Sequence, residues 1–512
     1  MGKTLIVAEK PSAGEAIAKT VGATEEHTGY LEGDKYVVTW AFGHLIELKK
    51  PQEHDEKYQK WSLENLPISF DISESLKVIP GSSKQFSIIK KLIHRPDIEM
   101  LINAGDAGRE GYLIQEWIYR MAGCKLPKKV LWASSLTAAG IRTAMDSLKD
   151  NGLPEFQGIL REAEARAEGD FILGYNYSPL LTLTRAYGGQ TLSYGRCQTP
   201  LLNLVAIQDE RIKDFKPVPY WTIEATYSKG FKGTLIDGEG KGKMFMDKEE
   251  ASKALEKCNG PGTVILYENQ EKHIKAPPLY NLAKLQQDMG KRYSFPPDRT
   301  LEIAQALYEK HKILSYPRTD SQCLSMDVYD EIEAHLQCCS FGRFKEMIGK
   351  IDFSCTKADK SYFNDLKVTD HHALIPTINS GMESIYAALD NDEKKVFDAI
   401  ALSLIAIFYP EYHYDATKII IEREGNRFKS TGTVIRQLGF KAILKGKEQD
   451  AENELQILPE LHEGDTVAID SLKMYEKKTR PPEKFNDASI VKIMEHYNIG
   501  TSARKPSLTG CS

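Results

Sequence analysis

The amino-acid sequence predicts a multidomain protein that is α/β in its first part and α+β in the remainder. Its 512 residues are enough for about three or four domains of ordinary size. Apolar runs alternate with helical stretches at the start of the chain, which is typical of α/β domains. Further along, two strand-rich stretches flank a long and mostly helical one. These observations argue against a chain with a single core.

The first part of the chain has the pattern of a mainly parallel sheet with helices. Residues 4–8 form a short apolar run of the kind found in buried parallel strands, and Pro11 and Ser12 suit the start of the next helix. A second apolar run, at 100–104, precedes a glycine-containing loop at 105–111 and then helical periodicity. Because ligand sites in such sheets form where strands end, both following loops are candidate site loops.

The rest of the chain changes pattern several times. Residues 156–215 are helical with a glycine-containing interruption, and strand-type alternation begins at Tyr220 and returns near 412–435 and 466–474. The stretch between, about 278–409, is mostly helical. We therefore predict one β domain built from two excursions of the chain, with a helical domain inserted between them.

Composition narrows the class of protein further. Hydrophobic residues make up 41% of the chain and charged residues 27%, which is typical of soluble globular proteins and excludes disordered or fibrous chains. The longest apolar run, near residues 399–409, is too short for a membrane span, and the N-terminus lacks a secretory signal pattern. The eight cysteines include no CxxC pair, which argues against a zinc ribbon. We expect an intracellular protein with no membrane partner.

Charge is distributed unevenly along the chain. The net charge is −5, which by itself argues against a general nucleic-acid binder. Residues 76–95, however, contain five basic side chains and no acid, and residues 171–208 contain Arg185 and Arg196 and no acid. A polyanion could bind along such surfaces. A solvated basic face explains the same pattern, so charge leaves both interpretations open.

Two acidic residues, Glu9 and Asp106, each follow one of the predicted strands. Carboxylates that converge at strand ends, with Glu110 nearby, could hold Mg2+ through oxygen ligands. The glycines around Asp106 permit a close approach of the backbone, which favours an anion or metal site. The alternative is that these acids only cap neighbouring helices.

Tyr316, which is followed by Pro317 and Arg318, is a second candidate. Proline disfavours helix at the preceding residue, so we expect the tyrosine on a turn or extended edge, with Arg318 on the same side. A phenolate can attack a phosphate while a guanidinium holds the nonbridging oxygens. The alternative is ordinary packing of the tyrosine ring, with the arginine in solvent.

Two further polar segments could contact phosphate. His371 and His372 point to opposite faces if their segment is extended, so only one of them faces a given site. Residues 193–200 offer backbone amides, Arg196 and Gln198 to a backbone phosphate. Each segment also has a plainer interpretation, namely a core histidine beside an exposed one, and a polar turn before an apolar run.

In combination and in this order, the motifs resemble those of type IA DNA topoisomerases, and in particular the bacterial DNA topoisomerase III branch. The resemblance extends from Lys3 to about Ser502, nearly the whole chain. The motifs that carry it are the acidic segments at 9–12 and 106–111, which are similar to those of Toprim domains, Gly43-His44-Leu45, Trp61, residues 84–86, residues 166–170 with Asn176, and the segments 193–198, 277–282, 316–320 and 370–376.

The resemblance implies a fold and a function. The fold is a torus of a Toprim α/β domain (1–155), a helical gate and DNA-binding domain (156–215 and 470–512), a β-rich hinge or arch domain (216–277 and 410–469), and a helical domain with the active-site tyrosine (278–409). The function is ATP-independent relaxation of negative supercoils, or unlinking of DNA, through transient cleavage of one strand.

The same resemblance implies roles for individual residues. Tyr316 would form a 5′-phosphotyrosine link with the DNA, and Arg318, Glu9, Lys10 and His371 would take part in catalysis. Mg2+ would be held by Glu9, Asp106 and Glu110. DNA would be contacted by Trp61, Arg166, Asp170, Asn176, Ser193, Tyr194, Gly195, Arg196, Cys197, Gln198 and Arg318. The implied partner is single-stranded or negatively supercoiled DNA, bound by a monomer in the cytoplasm and associated with the nucleoid.

Several positions depart from the family pattern. Gly108 stands where a second aspartate is usual and Tyr112 where an acid is common, so we expect weaker metal binding, with one ion rather than two. Pro179 stands where many members have a basic residue. Residues 503–512 are unlike the family, so we expect a truncated gate domain without zinc-binding tail domains, and a disordered tail.

Near the end of the chain, Ile490, Ile493, Met494 and Tyr497 recur at helical spacing, and this stripe should pack on the helical segment 156–215.

Two alternatives to a topoisomerase remain open from the sequence. One is a Toprim-type Mg-dependent nuclease or primase, which needs no tyrosine. The other is a truncated product that binds single-stranded DNA without full strand passage.

Overall fold

The computed structural model describes residues 2–71, 75–133, 138–354, 357–368, 371–444 and 456–500. Asp370 of the histidine motif and the tail from residue 503, which the sequence predicts to be disordered, lie outside these ranges. Two seven-stranded sheets organise the described chain. Within those ranges, no helix combines the length and the apolar character needed to cross a membrane.

The first sheet belongs to the start of the chain and has the strand order β2-β3-β4-β1-β7-β8-β9. Its strands are β1 (Lys3–Ala8), β2 (Glu25–His27), β3 (Tyr30–Glu32), β4 (Tyr36–Trp40), β7 (Ile98–Ala104), β8 (Lys128–Val130) and β9 (Lys149–Asp150), while β5 (Ile46–Leu48) and β6 (Leu76–Val78) pair separately. The helices here are α1 (Pro11–Val21), α2 (Ser83–Ile93), α3 (Arg109–Ala122) and α4 (Ala138–Asp146). Strand β1 runs parallel to both β4 and β7, so the predicted parallel centre is confirmed.

Strand β1 is buried on both faces, as its uninterrupted apolar run predicts. Leu5 and Val7 pack in a cluster with side chains of α2 and α3. Ile6 and Ala8 pack in a second cluster with side chains of α1 and α4. This packing on both faces fixes the carboxyl end of β1, and with it the position of the residues that follow.

Two long helices come next, α5 (Pro154–Arg185) and α6 (Gln198–Lys213), here called the gate helices. The predicted interruption is the connection at 186–197 between them. Near the end of the described chain, α16 (Asp487–His496) packs on α6 through Ile490 and Met494, which share an apolar cluster with Leu201. This part of the predicted stripe is confirmed.

One member of the stripe behaves differently. Tyr497 lies just beyond the end of α16, is 57% exposed, and places its ring beside His496. The prediction that Tyr497 is buried is therefore wrong, because the helix ends before helical spacing can carry the tyrosine to the packed face. Val491 is fully buried instead, on a side of α16 where Ala488 approaches Gly290 of α8 (Leu282–Tyr293).

The second sheet is antiparallel throughout and has the order β15-β12-β13-β14-β11-β10-β16. Its strands are β10 (Pro219–Tyr227), β11 (Lys232–Ile236), β12 (Gly262–Ile274), β13 (Tyr412–Arg423), β14 (Asn426–Gln437), β15 (Thr466–Val467) and β16 (Ile469–Lys478), with helix α7 (Lys248–Lys257). Strands from two distant excursions of the chain therefore share one sheet, as the alternation pattern predicts.

The helical region lies between β12 and β13 in the sequence. Its helices are α8, α9 (Pro297–Glu309), α10 (Met326–Asp330), α11 (Ile332–Cys338), α12 (Gly342–Ile348), α13 (Met382–Ala388) and α14 (Asn391–Ala406), and α15 (Lys441–Leu444) follows β14 and packs on the same core. Within this region, Leu314 forms a bridge with Pro376, and the Ser315 N–H donates to the Ile375 carbonyl at 2.9 Å. The chain is therefore extended up to Ser315, and Pro317 disfavours a helical conformation at Tyr316 itself.

Candidate active site between the first sheet and the helical region

The acids predicted at the strand ends converge. Ala8 of β1 pairs with Ala104 of β7 in parallel register, so the loops that follow the two strands lie side by side. The backbone N–H of Asp106 donates a hydrogen bond to Glu9 Oε2 at 3.1 Å. This edge of the sheet is where ligand sites form in α/β folds.

Glycine is required at positions 105 and 111, where the start of α3 lies close to these acids. A Cβ atom on Gly111 would lie 2.5 Å from the Asp106 carbonyl oxygen and 2.6 Å from Glu9 Oε2. A Cβ atom on Gly105 would lie 2.6 Å from the Gly111 carbonyl oxygen. Both glycines therefore allow the helix to approach the acids more closely than any other residue would.

Tyr316 faces the acids from the helical region. The hydroxyl of Thr319 donates to the His371 carbonyl oxygen at 2.7 Å, which holds His371 beside the tyrosine. The ring centroids of Tyr316 and His371 are 4.5 Å apart, and the ring of Tyr308, from α9, packs edge-on to Tyr316 at 5.4 Å. The tyrosine ring is thus held between neighbours from two parts of the helical region.

Two side chains connect the tyrosine to the acids. Lys10 Nζ donates to Asp106 Oδ2 at 2.9 Å and lies 3.8 Å from the centroid of the Tyr316 ring. His371 Nε2 lies 3.1 Å from the same Asp106 oxygen. The structure therefore brings together five residues that the sequence assigned to catalysis or metal binding: Glu9, Lys10, Asp106, Tyr316 and His371.

The two acids differ in their proton affinity. Burial, followed by the charge of Asp106, raises the pKa of Glu9 to about 7. Burial also acts to raise the pKa of Asp106, but the hydrogen bond from His371 and the charge of Lys10 outweigh it and hold that pKa well below its usual range. Asp106 is therefore a fixed anion, while Glu9 can give or take a proton near neutral pH.

The tyrosine hydroxyl keeps its proton in this site. Burial raises the pKa of Tyr316, and the positive charges of Lys10 and Arg318 oppose that rise without cancelling it. Arg318 Nη2 also donates to Gln305 Oε1 at 3.4 Å. Formation of a phenolate therefore depends on the cations in the cleft, which lower its cost.

Glu110, the third acid predicted to bind metal, has other neighbours. Its Oε1 lies 3.0 Å from His44 Nε2, and its Oε2 accepts from Arg166 Nη1 at 3.2 Å. The Arg166 contact links α3 to the gate helix α5. Tyr112, at a position where an acid is common in the family, is buried and donates to Asn151 Oδ1 at 2.9 Å.

The adjacent histidines do face different surroundings, as the sequence predicts. His371 reaches Asp106, whereas His372 is turned inward, with its Nδ1 2.7 Å from the Ala373 carbonyl oxygen. Burial lowers the pKa of His372 below its ordinary value, which keeps that ring neutral. Only His371 belongs to the site.

Most of the residues predicted to contact DNA lie in the gate helices or in the connection between them, whereas Arg318 lies near Tyr316 in the helical region, and several are paired with one another. Arg196 Nε donates to Asp170 Oδ1 at 2.8 Å. The rings of Tyr194 and Tyr177 lie 4.9 Å apart. Of the other predicted contacts, Trp61 is 41% exposed, Cys197 is buried, and the hydroxyl of Ser193 donates to Gln198 Oε1 at 3.3 Å.

Asn176 has a clear structural role. Its Oδ1 accepts from the Ile68 N–H at 2.5 Å, and its Nδ2 donates to the Ile68 and Ile172 carbonyl oxygens at 2.9 and 2.8 Å. The side chain therefore holds the segment around Ile68 against α5. Any contact with DNA would be made in addition to this role.

Sequence reasoning did not identify all members of the site. Ser12 and Tyr308 approach each other across the cleft, with 3.4 Å between their hydroxyl oxygens, and Thr319 orients His371. Tyr308 is one of 24 tyrosines and carries no motif of its own. The hydroxyl at Ser12 could have been singled out, because it follows Glu9 and Lys10 in the first loop.

The fold and the site together define a Toprim-containing enzyme. A family model described as Toprim domain matches residues 4–136, and one described as DNA topoisomerase matches residues 155–507. The second match covers more than half of the chain. The chain belongs to the DNA topoisomerase family, type IA, and is an enzyme of the isomerase class.

Curated relatives and a solved structure agree with this family. The chain is 37% identical to DNA topoisomerase 3 of Bacillus subtilis over 502 residues and 38% identical to that of Bacillus licheniformis over 501, covering 97% of this chain and 67% of each relative. The structure of full-length topoisomerase I from Thermotoga maritima is similar with a TM-score of 0.67 and 25% identity, over 98% of this chain and 77% of that one. These matches confirm the expected family and support it over a Toprim nuclease or primase and over a product that only binds DNA.

The acids of the site suit a divalent cation. Toprim domains and type IA topoisomerases are generally metal-dependent. Here Glu9 and Asp106 are both partly buried, and the charge of Asp106 raises the pKa of Glu9. A cation bound between them would relieve that repulsion, and carboxylate oxygens are ligands that hard cations prefer.

Proposed function

We propose that Tyr316 is the residue with which this topoisomerase breaks and rejoins one strand of DNA. The observation that carries the proposal is the setting of the tyrosine ring, 3.8 Å from Lys10 Nζ and 4.5 Å from the His371 ring, with both of those side chains bound to Asp106. A nucleophile beside a cation and facing two acids is what phosphoryl transfer to tyrosine needs.

The proposed reaction balances without a further reactant. Tyr316 Oη attacks the phosphorus and forms the phosphotyrosine bond, the bond from phosphorus to the 3′ oxygen breaks, and the phenol proton passes to solvent. Lys10 and Arg318 stabilise the negative charge on the phenolate and on the phosphate. While no cation holds its carboxylate, Glu9, whose metal-free pKa is about 7, gives a proton to the departing 3′ oxygen and takes it back on religation. No ATP is needed, because the phosphotyrosine link conserves the phosphodiester bond energy.

Mg2+ is the proposed cation, and Glu9 and Asp106 are the residues that would hold it. When bound, it would supply positive charge beside the scissile phosphate. Glu110 is proposed as a third ligand, although His44 and Arg166 would compete with the ion for its oxygens. With glycine at position 108, we propose one ion rather than two.

The proposed DNA ligand is a single strand lying along the gate helices. The neighbouring rings of Tyr177 and Tyr194 offer stacking surfaces for unpaired bases, and Arg196 offers a cation for the backbone. Base stacking on aromatic rings requires bases that are not paired, which favours single-stranded or negatively supercoiled DNA over relaxed duplex.

The remaining parts of the proposal concern the whole protein. We propose relaxation of negative supercoils or unlinking of DNA as the overall outcome, a monomer as the active form, and a cytoplasmic, nucleoid-associated location. The domain borders 1–155, 156–215 with 470–512, 216–277 with 410–469, and 278–409 belong to the same proposal. They are supported by the grouping of strands and helices around separate cores.

The test is covalent capture of DNA by matched tyrosine variants. Single-stranded DNA labelled at its 3′ end, which stays on the fragment bound to the tyrosine, is incubated with the protein and Mg2+, the mixture is denatured, and labelled protein is measured. We expect an adduct with the unmodified protein and with Tyr308→Phe, whose ring lies in the same cleft, and none with Tyr316→Phe. An adduct with Tyr316→Phe would refute the proposal, and free DNA fragments without an adduct would indicate a nuclease instead.

A further inference from the structure

Two short motifs of the same kind lie at adjacent strand ends of the second sheet. Glu271 and His273 are two residues apart near the end of β12, and Glu411 and His413 are two residues apart at the start of β13. The two strands are antiparallel, with His273 directly opposite His413. Because alternate residues share one face of a sheet, the four side chains lie on the same side.

The side chains of this group converge on one point. The candidate ligand atoms of Glu271, His273 and His413 all lie within 4.8 Å of one another. Glu271 Oε1 lies 2.6 Å from His413 Nε2 and 3.4 Å from His273 Nε2. The two imidazole rings are stacked with centroids 4.2 Å apart and planes 18° from parallel, so both present Nε2 toward the same carboxylate.

One atom of the group lacks a satisfactory partner. His413 Nε2 is secluded from solvent and makes no aligned hydrogen bond, even though a Glu271 oxygen is close to it. A buried polar atom without a hydrogen bond costs free energy, and such atoms in native structures need an explanation. A cation placed among the three ligand atoms would satisfy this nitrogen and the carboxylate together.

The fourth side chain is placed to orient one of the ligands. Glu411 Oε2 lies 3.7 Å from His273 Nδ1, on the ring edge away from Nε2. A carboxylate in that position favours a proton on Nδ1 and leaves the Nε2 lone pair available for a metal. Metal-binding histidines commonly have such a carboxylate behind them.

We propose that Glu271, His273 and His413 form a binding site for a divalent transition metal ion, with zinc as the ion that fits best. Two imidazole nitrogens and one carboxylate oxygen are a ligand set that zinc accepts, with water at a fourth position. Mg2+ prefers oxygen ligands alone, so this site differs in kind from the acids near Tyr316.

The position of the site gives it a structural consequence. The whole helical region is inserted between β12 and β13, so the chain leaves the second sheet just after His273 and returns to it just before His413. An ion held by both strands would join the two connections and restrict movement of the helical region relative to the sheet. The role is structural and does not depend on the chemistry proposed for Tyr316.

Zinc titration of the metal-free full-length protein tests the site. Zinc binding is measured by competition with a chromophoric chelator for the unmodified protein and for His273→Ala, His413→Ala and Glu271→Gln. The matched control is His27→Ala, because Glu25 and His27 form the same motif on β2, where His27 is paired with a tyrosine. Circular dichroism establishes that each variant is folded.

We expect the first three variants to lose one equivalent of bound zinc, or to bind it at least about tenfold more weakly, while the control is unchanged. Zinc bound elsewhere, including at Glu9 and Asp106, is the same in every sample, so it does not affect the difference between a variant and the unmodified protein. Cobalt in place of zinc gives a second readout, since a site with nitrogen ligands has visible absorption bands that the variants should lack. Unchanged zinc binding in both histidine variants, or equal loss in the control, would overturn the proposal.

The orienting role of Glu411 has its own measurement. Glu411→Gln should keep the stoichiometry of one ion but weaken zinc binding by about tenfold, because only the support behind His273 is altered. A full loss of binding would make Glu411 a ligand and revise the ligand set. An unchanged affinity would remove the positioning role.

Discussion

His371 Nε2 lies 3.1 Å from Asp106 Oδ2, in a contact between side chains that are 265 positions apart in the chain. Lys10 Nζ reaches the same carboxylate oxygen at 2.9 Å. One oxygen atom therefore connects the first sheet to the helical region and is shared by two donors. A cation bound by Asp106 would compete with both donors, so we expect metal binding to loosen this connection.

The first prediction concerns Glu9 and pH. Its pKa is raised from 4.5 to about 7, so the folded protein holds this proton more tightly than the unfolded chain does. The stability that comes from the proton is complete below about pH 4.5 and is lost as pH rises through about 7. Above that pH, charged Glu9 costs on the order of 3 kcal/mol in the folded state.

Glu9→Gln should therefore raise the melting temperature of the metal-free protein at pH 8 by roughly 6–12 °C, since about 3 kcal/mol corresponds to ~2–4 °C per kcal/mol in a domain of this size, and should change it little at pH 4.5. Added Mg2+ should raise the melting temperature of the unmodified protein at pH 8 and should have a smaller effect on the variant. Melting curves in the presence of a chelator and of Mg2+ measure both effects. An equal Mg2+ response in the two proteins would contradict a metal ligand at Glu9.

The second prediction concerns Gly111. Alanine at this position would place a Cβ atom 2.5 Å from the Asp106 carbonyl oxygen, so α3 or the acidic loop must shift. We expect Gly111→Ala to cost about 1–3 kcal/mol of stability and to reduce DNA cleavage strongly, because Glu9 and Asp106 both move. Gly158→Ala is the control, since that glycine is also helical and has nothing within 4 Å of its added methyl group. Full cleavage activity in Gly111→Ala would show that the close approach is not needed.

Much of the site could be predicted because its signals are local. Glu9 and Asp106 follow apolar runs of the kind found in buried parallel strands, and Pro317 restricts Tyr316 by sterics alone, whereas the chemical roles of these residues were implied by the family resemblance. The contacts of Glu110 with His44 and Arg166 could not be predicted, since they depend on how α3 meets α5. Side-chain pairing between distant elements is set by tertiary packing. The periodicity of the sequence contains no information about such pairing.

The dependence on tertiary packing explains two other features of the structure that the sequence did not predict. Asn176 matches a DNA-contact motif, yet its amide is occupied by the backbone of Ile68, which is 108 positions away. The site formed by His273 and His413 depends on the register between β12 and β13. Register between strands separated by a whole inserted region cannot be read from either strand alone.

The third prediction concerns Arg196 and its ion pair with Asp170. If Arg196 contacts a DNA phosphate, Arg196→Ala should weaken single-stranded DNA binding and lower the slope of log affinity against log salt by about 1. Asp170→Asn should strengthen binding at low salt, because it removes the anion that competes with phosphate. Fluorescence anisotropy at several salt concentrations measures both quantities. Arg427→Ala, at another paired surface arginine, is the control, and an equal change of slope in that variant would count against a specific contact.

The fourth prediction concerns Lys10, whose ammonium group faces the ring of Tyr316 and lowers the cost of forming its phenolate. Lys10→Met keeps much of the side-chain volume and removes the charge. We expect cleavage of single-stranded DNA at neutral pH to fall by about 100-fold to 1,000-fold, the effect of losing one well-placed group that stabilises developing charge. DNA binding, measured separately, should change little, because the lysine acts on the reacting atoms.

A purely structural lysine would give a different pH response. Without Lys10 the pKa of Tyr316 should rise further. The cleavage rate of Lys10→Met should therefore keep increasing up to a higher pH than the cleavage rate of the unmodified protein does. Lys19→Met, in the last turn of α1, the helix that begins directly after Lys10, is the matched control and should leave both the rate and its pH profile unchanged. A lower rate with an unshifted pH profile would assign Lys10 to holding Asp106 in place, and an unchanged rate would remove it from catalysis.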